Sequence, residues 1–364
     1  MKQTTDFRRI IPQFHISGTV MAVQPMGNGL INDTYLVETM EGSAPDYVLQ
    51  RINENVFKDV ELLQRNIEIV TKHLRKKLKE EGATDIDRRA LQFMKTVEGK
   101  SWFRDQEGLC WRLSINIPNS VTQETVNEQS AYDTGKAFGD FERMLIDVPE
   151  ELGETIPGFH NMELKWQQLE EALQRNAANR RTEVAGMVRE LEAERDEMCK
   201  AERLFREGKL PKRICHCDTK VNNILYDETG QVLCVVDLDT VMPSFIFSDY
   251  GDFLRTAANQ VAEDDERIEL VAFNEQIFKA FTKGYIESTA SFLTPIERDN
   301  LPFAVALFPY MQSVRFLTDY INGDVYWKVK YPTHNLVRAK NQLALYRDVR
   351  RHDDMMKQYI ADLK

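Results

Sequence analysis

No stretch of the 364-residue chain approaches the ~18 consecutive apolar residues that a bilayer-crossing helix needs. Met1 to Arg9 are polar and charged, with no apolar stretch and small-residue cleavage site behind them, so no secretory signal is expected and the cytoplasm is the expected compartment. Cysteine is scarce. Five residues (Cys110, Cys199, Cys215, Cys217, Cys234), an odd number spread along the chain, argue against a secreted disulfide framework and make reduced thiols the expectation. Basic charge is in deficit, 47 Lys and Arg against 58 Asp and Glu, for a net charge of −11. Nucleic acids and anionic membranes recruit an excess of Lys and Arg, so neither is an expected partner, although a local basic cleft for a nucleotide phosphate is compatible with that balance. Internal repeats and low-complexity segments are also missing. What is present is ordinary globular composition, 42% hydrophobic and 29% charged, with length for two or three compact units.

The first third reads as strands interrupted by one helix. Thr19 to Gln24 and Thr34 to Thr39 flank a Gly27-Asn28-Gly29 turn, and Tyr47 to Ile52 reads as a third strand. Val56, Val60, Leu63, Ile67, Val70, Leu74 and Leu78 recur at helical spacing, with Gly82 as the stop. Lys100 to Arg104 and Cys110 to Ile115 then flank a polar loop as in a hairpin. From Val121 onward the character is helical, including a charge-dense run from Met162 to Glu207 that reads as solvated helix faces. The exception is a short hairpin of Ile224 to Tyr226 and Val232 to Val236. Thr294-Pro295-Ile296-Glu297 marks a late helix start.

Chemistry concentrates in Ile214-Cys215-His216-Cys217-Asp218-Thr219-Lys220-Val221-Asn222-Asn223 and in Asp237, which follows the hairpin. Phosphoryl transfer to a hydroxyl needs a carboxylate beside the attacking oxygen, cationic groups on the γ-phosphate and oxygen ligands for Mg²⁺. Asp218, Lys220, Asn223 and Asp237 supply that set in the H-x-D-x-K-x-x-N spacing of kinase catalytic loops. Taken singly, each has a plainer reading as a turn or strand-end residue; the combination with a hairpin between them is what carries the assignment. His216 reads as a packing residue, and Cys215-His216-Cys217 places its ligands too close together for a zinc site. Asp239 is a candidate for a second metal or a solvent-exposed loop aspartate. Upstream, Gly27, Asn28 and Gly29 would let backbone amides approach phosphates. Tyr47-Val48-Leu49-Gln50-Arg51 stands where kinases hold a phosphate-pairing Lys, and Arg51 supplies the charge here, or Gln50 a neutral donor, with Glu61 or Glu68 as the expected acidic partner.

These residues resemble the aminoglycoside and choline kinase-like phosphotransferases. The resemblance spans nearly the whole chain and also rests on the segment Gly27 to Tyr35, on Val48-Leu49-Gln50-Arg51 and on Ile156-Pro157-Gly158-Phe159-His160-Asn161. Asp237-Leu238-Asp239-Thr240-Val241-Met242-Pro243 and Arg315-Phe316-Leu317-Thr318-Asp319-Tyr320 look closest to the N-acetylhexosamine 1-kinase subgroup. It implies an α+β, two-lobed protein-kinase-like (aminoglycoside phosphotransferase-like) fold. A β-rich nucleotide lobe over residues 1–117 and a mainly helical catalytic and substrate lobe over 118–364 are expected, with the cleft between them. It implies transfer from Mg²⁺-bound ATP to the anomeric hydroxyl of N-acetylglucosamine or N-acetylgalactosamine. Asp218 would accept the hydroxyl proton, Lys220 would neutralise the γ-phosphate, and Asn223 with Asp237 would hold Mg²⁺. For the sugar, Asn32, Asp33, Arg315, Asp319 and Tyr326 offer planar hydrogen-bonding groups and an aromatic face. Arg315 and Asp319, four apart, could equally pair along a helix. Asp252, in Ser248-Asp249-Tyr250-Gly251-Asp252-Phe253, resembles the residue that braces the catalytic loop in this superfamily, and Phe308, Tyr310, Phe316 and Tyr320 read as helical core. Two rival readings follow: a cationic acceptor such as choline, an amino alcohol or an aminoglycoside, which would need a cluster of carboxylates, and a catalytically silent kinase-like binding module, against which the presence of Asp218, Asn223 and Asp237 argues.

Overall fold

The computed structural model describes residues 6–27 and 31–363. The chain forms two compact units, one of Met1–Thr122, Asp147–Pro157 and Ile224–Met242, the other of Gln123–Ile146, Gly158–Asn223 and Pro243–Lys364.

The first unit is built on a five-stranded antiparallel sheet in the order β1-β2-β3-β5-β4, with β1 Val20–Pro25, β2 Asp33–Thr39, β3 Tyr47–Arg51, β4 Phe103–Arg104 and β5 Cys110–Ile115. Side chains alternate between sheet faces, so the register separates two layers. Tyr47, Leu49, Trp111 and Leu113 bury on one face with Val37, Ile10, Ile11 and Phe14. On the other face Thr34, Gln50 and Arg112 stand in line across three strands. The Val60–Glu80 helix follows. It starts later than the Val56 expected from periodicity, because Val56 and Phe57 turn back onto the Asn53 carbonyl, while the Asp59 side chain accepts from Leu62 N at 2.9 Å and caps the first turn. Leu63, Ile67, Val70, Leu74 and Leu78 bury, and Gly82 ends the helix at φ +78°, with Ala83 N closing on the Leu78 carbonyl. The Ile224–Tyr226 and Val232–Val235 hairpin also belongs to this unit, its turn closed by Asp227 accepting from Thr229 N and Gln231 N.

The second unit is helical. Its Glu128–Leu145 and Glu275–Thr289 helices pack backbone to backbone: a Cβ at Gly135 would lie 2.2 Å from the Phe281 carbonyl oxygen, and one at Gly284 would lie 2.2 Å from that of Tyr132. An alanine at either position would force the helices apart, far outweighing the ~1 kcal/mol of helix propensity it would gain. The Leu301–Asn322 helix is buried nearly all round, with Phe308, Tyr310, Phe316 and Tyr320 in the core. Thr294 and Glu297 form the reciprocal capping box that their spacing announces, with Pro295 in the first turn. All five cysteines are free and buried. Among the described residues, no helix is long and apolar enough to cross a membrane.

Candidate active site

In the second unit, the short strand Arg213–Cys215 delivers the chain into the loop that carries Asp218. His216 packs edge-on against Phe138 and Phe141, at ring distances of 5.3 and 5.8 Å, and is fully buried. Cys217 adopts the left-handed conformation, φ +63°, which is uncommon for a residue with a side chain and turns the backbone so that Asp218 follows a buried position. The loop is held by Asp249, whose two carboxylate oxygens accept from His216 N and Cys217 N at 2.7 Å each, while Thr219 Oγ1 donates to the Asp249 carbonyl at 2.7 Å. The brace is therefore Asp249 and not Asp252: the carboxylate of Asp252 accepts from Arg255 at 3.0 Å, and Arg255 also pairs with Glu263. Sequence spacing cannot separate two aspartates three apart on one helix; the hydrogen bonds each accepts do.

Within this loop Lys220 Nζ lies 2.6 Å from Asp218 Oδ1. Burial works against the Lys220 ammonium, but the carboxylates of Asp218 and Asp252 outweigh it and hold its pKa above the ordinary lysine value. Asn223 Nδ2 donates to the Asp218 carbonyl at 2.8 Å and reaches Asp218 Oδ2 at 3.3 Å, which commits its NH₂ to the loop and leaves its Oδ1 as the atom that could ligate a cation. A carboxylate, a cation and an amide oxygen are thus gathered on one turn, and the oxygen donor suits a hard cation such as Mg²⁺.

In the first unit Asp237 follows the hairpin in a left-handed conformation, φ +59° and ψ +55°, and leads into a turn of 3₁₀-helix over Leu238–Thr240. Asp239, in that turn, is buried, which rules out the solvent-exposed alternative. Its Oδ1 pairs with Arg112 and its Oδ2 accepts from Asn32 Nδ2 at 2.6 Å, so both oxygens are engaged within the protein. Arg112 is 2% exposed, also bonds Gln50 Oε1 at 2.9 Å, and is the functional candidate that sequence reasoning missed. Its signal was available: an arginine inside the apolar run Cys110-Trp111-Arg112-Leu113 demands a buried partner. Asn32 is equally committed, its Oδ1 accepting from Asn53 N at 3.0 Å. Arg51, at the exposed end of β3, pairs with Asp33, its neighbour in register on β2. The expected partner Glu68 is taken by Lys95 at 2.5 Å. Gly27 is left-handed at φ +68° with open space where a Cβ would stand; Asn28 and Gly29 lie outside the described residues.

The remaining acceptor candidates lie in the second unit. Arg315 is sandwiched between the Phe159 and Trp327 rings, 5.2 Å from each centroid, and donates to Gln312 Oε1 at 2.9 Å instead of pairing with Asp319. Asp319 is buried and organises the following loop, accepting from the backbone amides of Val325, Tyr326 and Trp327 at 2.9, 2.8 and 3.1 Å and from Asn335 at 2.9 Å. Tyr326 is 60% exposed. The Arg315 charge bears on its basic neighbours. Burial, then the nearby Arg315 charge, pushes Lys165 down to about 7, and burial drives the His160 imidazole to about 3 in spite of Asp252. The carboxylates that Arg315 and His160 sense, Asp252 and Glu263, are both taken by Arg255.

Residues 22–281 match the model of the phosphotransferase enzyme family. Among solved structures, the chain is similar to an aminoglycoside phosphotransferase from Alicyclobacillus acidocaldarius at 12% identity and a TM-score of 0.61, over 98% of each chain. It is similar to an ethanolamine kinase of Plasmodium vivax at 14% identity and a TM-score of 0.56, covering 90% of this chain and 84% of that one. An amicoumacin kinase solved with AMP-PNP, Ca²⁺ and Ami matches at 13% identity and a TM-score of 0.53, over 92% of this chain and 88% of that one. The shared fold is the aminoglycoside phosphotransferase-like α+β fold, with a β-sheet part and a helical part, as the motifs implied.

Proposed function

The chain belongs to the phosphotransferase enzyme family, and from that premise we propose that it moves the γ-phosphoryl group of ATP onto the anomeric hydroxyl of an N-acetylhexosamine. One observation carries the choice of a neutral acceptor. The Arg315 charge lies beside Lys165 and His160 and helps to push both toward their neutral forms, and the two carboxylates that bear on Arg315, Asp252 and Glu263, are already paired with Arg255. A quaternary ammonium, an amino alcohol or an aminoglycoside would enter against the Arg315 charge, with Asp252 and Glu263 already engaged by Arg255, at a cost of several-fold to many-fold in affinity. A sugar presents hydroxyls and an acetamide oxygen, which guanidinium and amine donors accept without a counter-ion. The hexosamine-kinase segments from Asp237 to Pro243 and from Arg315 to Tyr320 support the same choice.

In this reading Asp218 takes the hydroxyl proton, and little proton affinity is required of it because transfer comes late in a loose phosphoryl-transfer transition state. Lys220, held as a cation, meets the γ-phosphate. Asn223 Oδ1 and Asp237 would hold Mg²⁺, which would supply charge neutralisation for the nucleotide phosphates. Gly27 and Arg51 serve the nucleotide phosphates, Arg51 exchanging Asp33 for phosphate. Asp239 is engaged by Arg112 and Asn32 as scaffolding, and Asp319 shapes the loop that presents Tyr326.

The test is a panel of acceptors with Mg·ATP: N-acetylglucosamine, N-acetylgalactosamine, glucose, choline, ethanolamine and an aminoglycoside, read by ADP release and by NMR of the phosphorylated position. Turnover of an N-acetylhexosamine at C1, with its methyl glycoside inert, is the expected result. Preferential turnover of choline or an aminoglycoside, or phosphorylation of the methyl glycoside, would overturn the acceptor assignment.

A further inference from the structure

Beneath the catalytic loop of the second unit lies a buried acidic pair, Glu142 and Asp249. Glu142 stands near the end of the Glu128–Leu145 helix, brought close to the Glu275–Thr289 helix by the glycine contacts at Gly135 and Gly284. Tyr285, next to Gly284, donates its hydroxyl to Glu142 Oε2 at 2.6 Å. Glu142 Oε1 is buried, and no donor from another residue reaches it. What Glu142 meets on the other side is the carboxylate of Asp249, within 4.8 Å. One ligand atom each of Glu142, Asp249 and Cys215 lie within 4.8 Å of one another, all from buried residues. Glu142 is 3% exposed and Asp249 0%.

Two ionised carboxylates cannot share such a place: with no water to screen them, their repulsion and desolvation keep one of them protonated. The hydrogen bonds decide which. Asp249 accepts from two backbone amides, which favour its anionic form, whereas Glu142 accepts from a single phenol. We propose that Glu142 is a neutral carboxylic acid whose Oε1–H donates to the Asp249 carboxylate, and that this buried proton fixes the loop carrying Asp218, making Glu142 a positioning residue for phosphoryl transfer. The inference rests on the reading of that loop as catalytic. The other charged or titratable groups facing the pair are the Cys215 thiol, the Tyr285 phenol, the His216 ring, and Glu297 with its partner Arg213. Burial first, then the Asp249 charge, raises Glu142 well above its ordinary 4.5. The sign follows: the contribution of this proton to stability is complete below the ordinary glutamate range and is lost as pH rises toward the raised value, because the unfolded chain gives up the proton first.

The experiment compares wild type with Glu142→Gln and Glu142→Leu. Difference infrared spectroscopy at neutral pH should show a protonated-carboxyl C=O band that disappears in Glu142→Gln. Glu142→Leu, which deletes the donor, should lower kcat by roughly 10- to 100-fold with KM values little moved, and Glu142→Gln, which keeps an N–H donor, should recover most of that loss. Between about pH 6 and about pH 9 the thermal midpoint of wild type should fall more steeply than that of Glu142→Gln. Should Glu142→Leu fail to fold, the infrared band and the Glu142→Gln stability profile still decide the matter. Absence of the band, equal pH slopes, or a stoichiometric transition metal in the purified protein that Glu142→Gln loses would overturn the proposal, the last by showing a metal where the proton is assigned. If no acceptor is phosphorylated at all, the proposed function fails, while the infrared and stability results still judge the protonated pair.

Discussion

The turn after strand Arg213–Cys215 in the second unit and the turn after Val232–Val235 in the first follow one plan. Each contains a left-handed residue with a side chain, Cys217 at φ +63° and Asp237 at φ +59°. Each carries one acid of the proposed chemistry, Asp218 or Asp237, and contains a short 3₁₀ turn, Val221–Asn223 or Leu238–Thr240. Each is also tied to a buried aspartate. They differ in how that buried charge is accommodated. Asp239 has a counter-ion and an amide, Arg112 and Asn32, whereas Asp249 has two backbone amides and, in the reading above, a proton from Glu142. A counter-ion is undone by deleting a side chain; a shared proton is undone by base.

The acids offered for chemistry give the largest expected effects. Asp218→Asn keeps size and hydrogen bonding but cannot take a proton, so kcat should fall by roughly 10²–10⁴-fold with the sugar KM little changed. Asp237→Ala should remove nearly all turnover without unfolding the chain; retention of more than about a tenth of wild-type kcat, only ~1.4 kcal/mol of barrier, would sink the metal-ligand assignment. Steady-state kinetics with circular dichroism as a folding control checks both.

Next comes the counter-ion itself. Arg112→Met should destabilise the protein by about 3–5 kcal/mol in denaturant unfolding, because it strands a buried carboxylate, and adding Asp239→Leu should recover part of that loss. A loss below about 1 kcal/mol would show that Arg112 and Asp239 are not the anchor of this turn. The smallest effect falls on Arg51. Its pair with Asp33 is about half exposed and contributes little to stability. Arg51→Ala should therefore leave the unfolding midpoint almost unmoved while raising the KM for Mg·ATP far more than that for the acceptor. Equal effects on both substrates would move the phosphate contact to Gln50 or elsewhere.

What the sequence made legible was local. The order of strands, the Gly82 stop, the Thr294–Glu297 capping box and the loop from His216 to Asn223 are each fixed by residues a few positions apart, where spacing carries the physics. What it hid was pairing over long separations. Arg112 with Asp239, Asn32 with Asp239, and Glu142 with Tyr285 join residues more than 100 positions apart, and no periodicity records them. Asp252 was the wrong brace because the bonds from His216 N and Cys217 N to Asp249 span 33 and 32 positions, and only the fold shows which of two aspartates on one helix receives them. Asp319 serves the backbone amides of the loop that follows it, a duty that side-chain type alone does not distinguish from binding.

The burial of every cysteine gives the native chain an unusual chemical silence. Burial pushes the Cys110, Cys199 and Cys234 thiols up to about 12 and raises Cys215 and Cys217 well above the ordinary range. A maleimide or iodoacetamide therefore meets neither exposed sulfur nor thiolate until part of the molecule opens. Because Cys110 and Cys234 belong to the first unit and Cys199, Cys215 and Cys217 to the second, alkylation followed by peptide mapping becomes a clock with separate hands. It times the opening of each unit without any label being engineered into the chain.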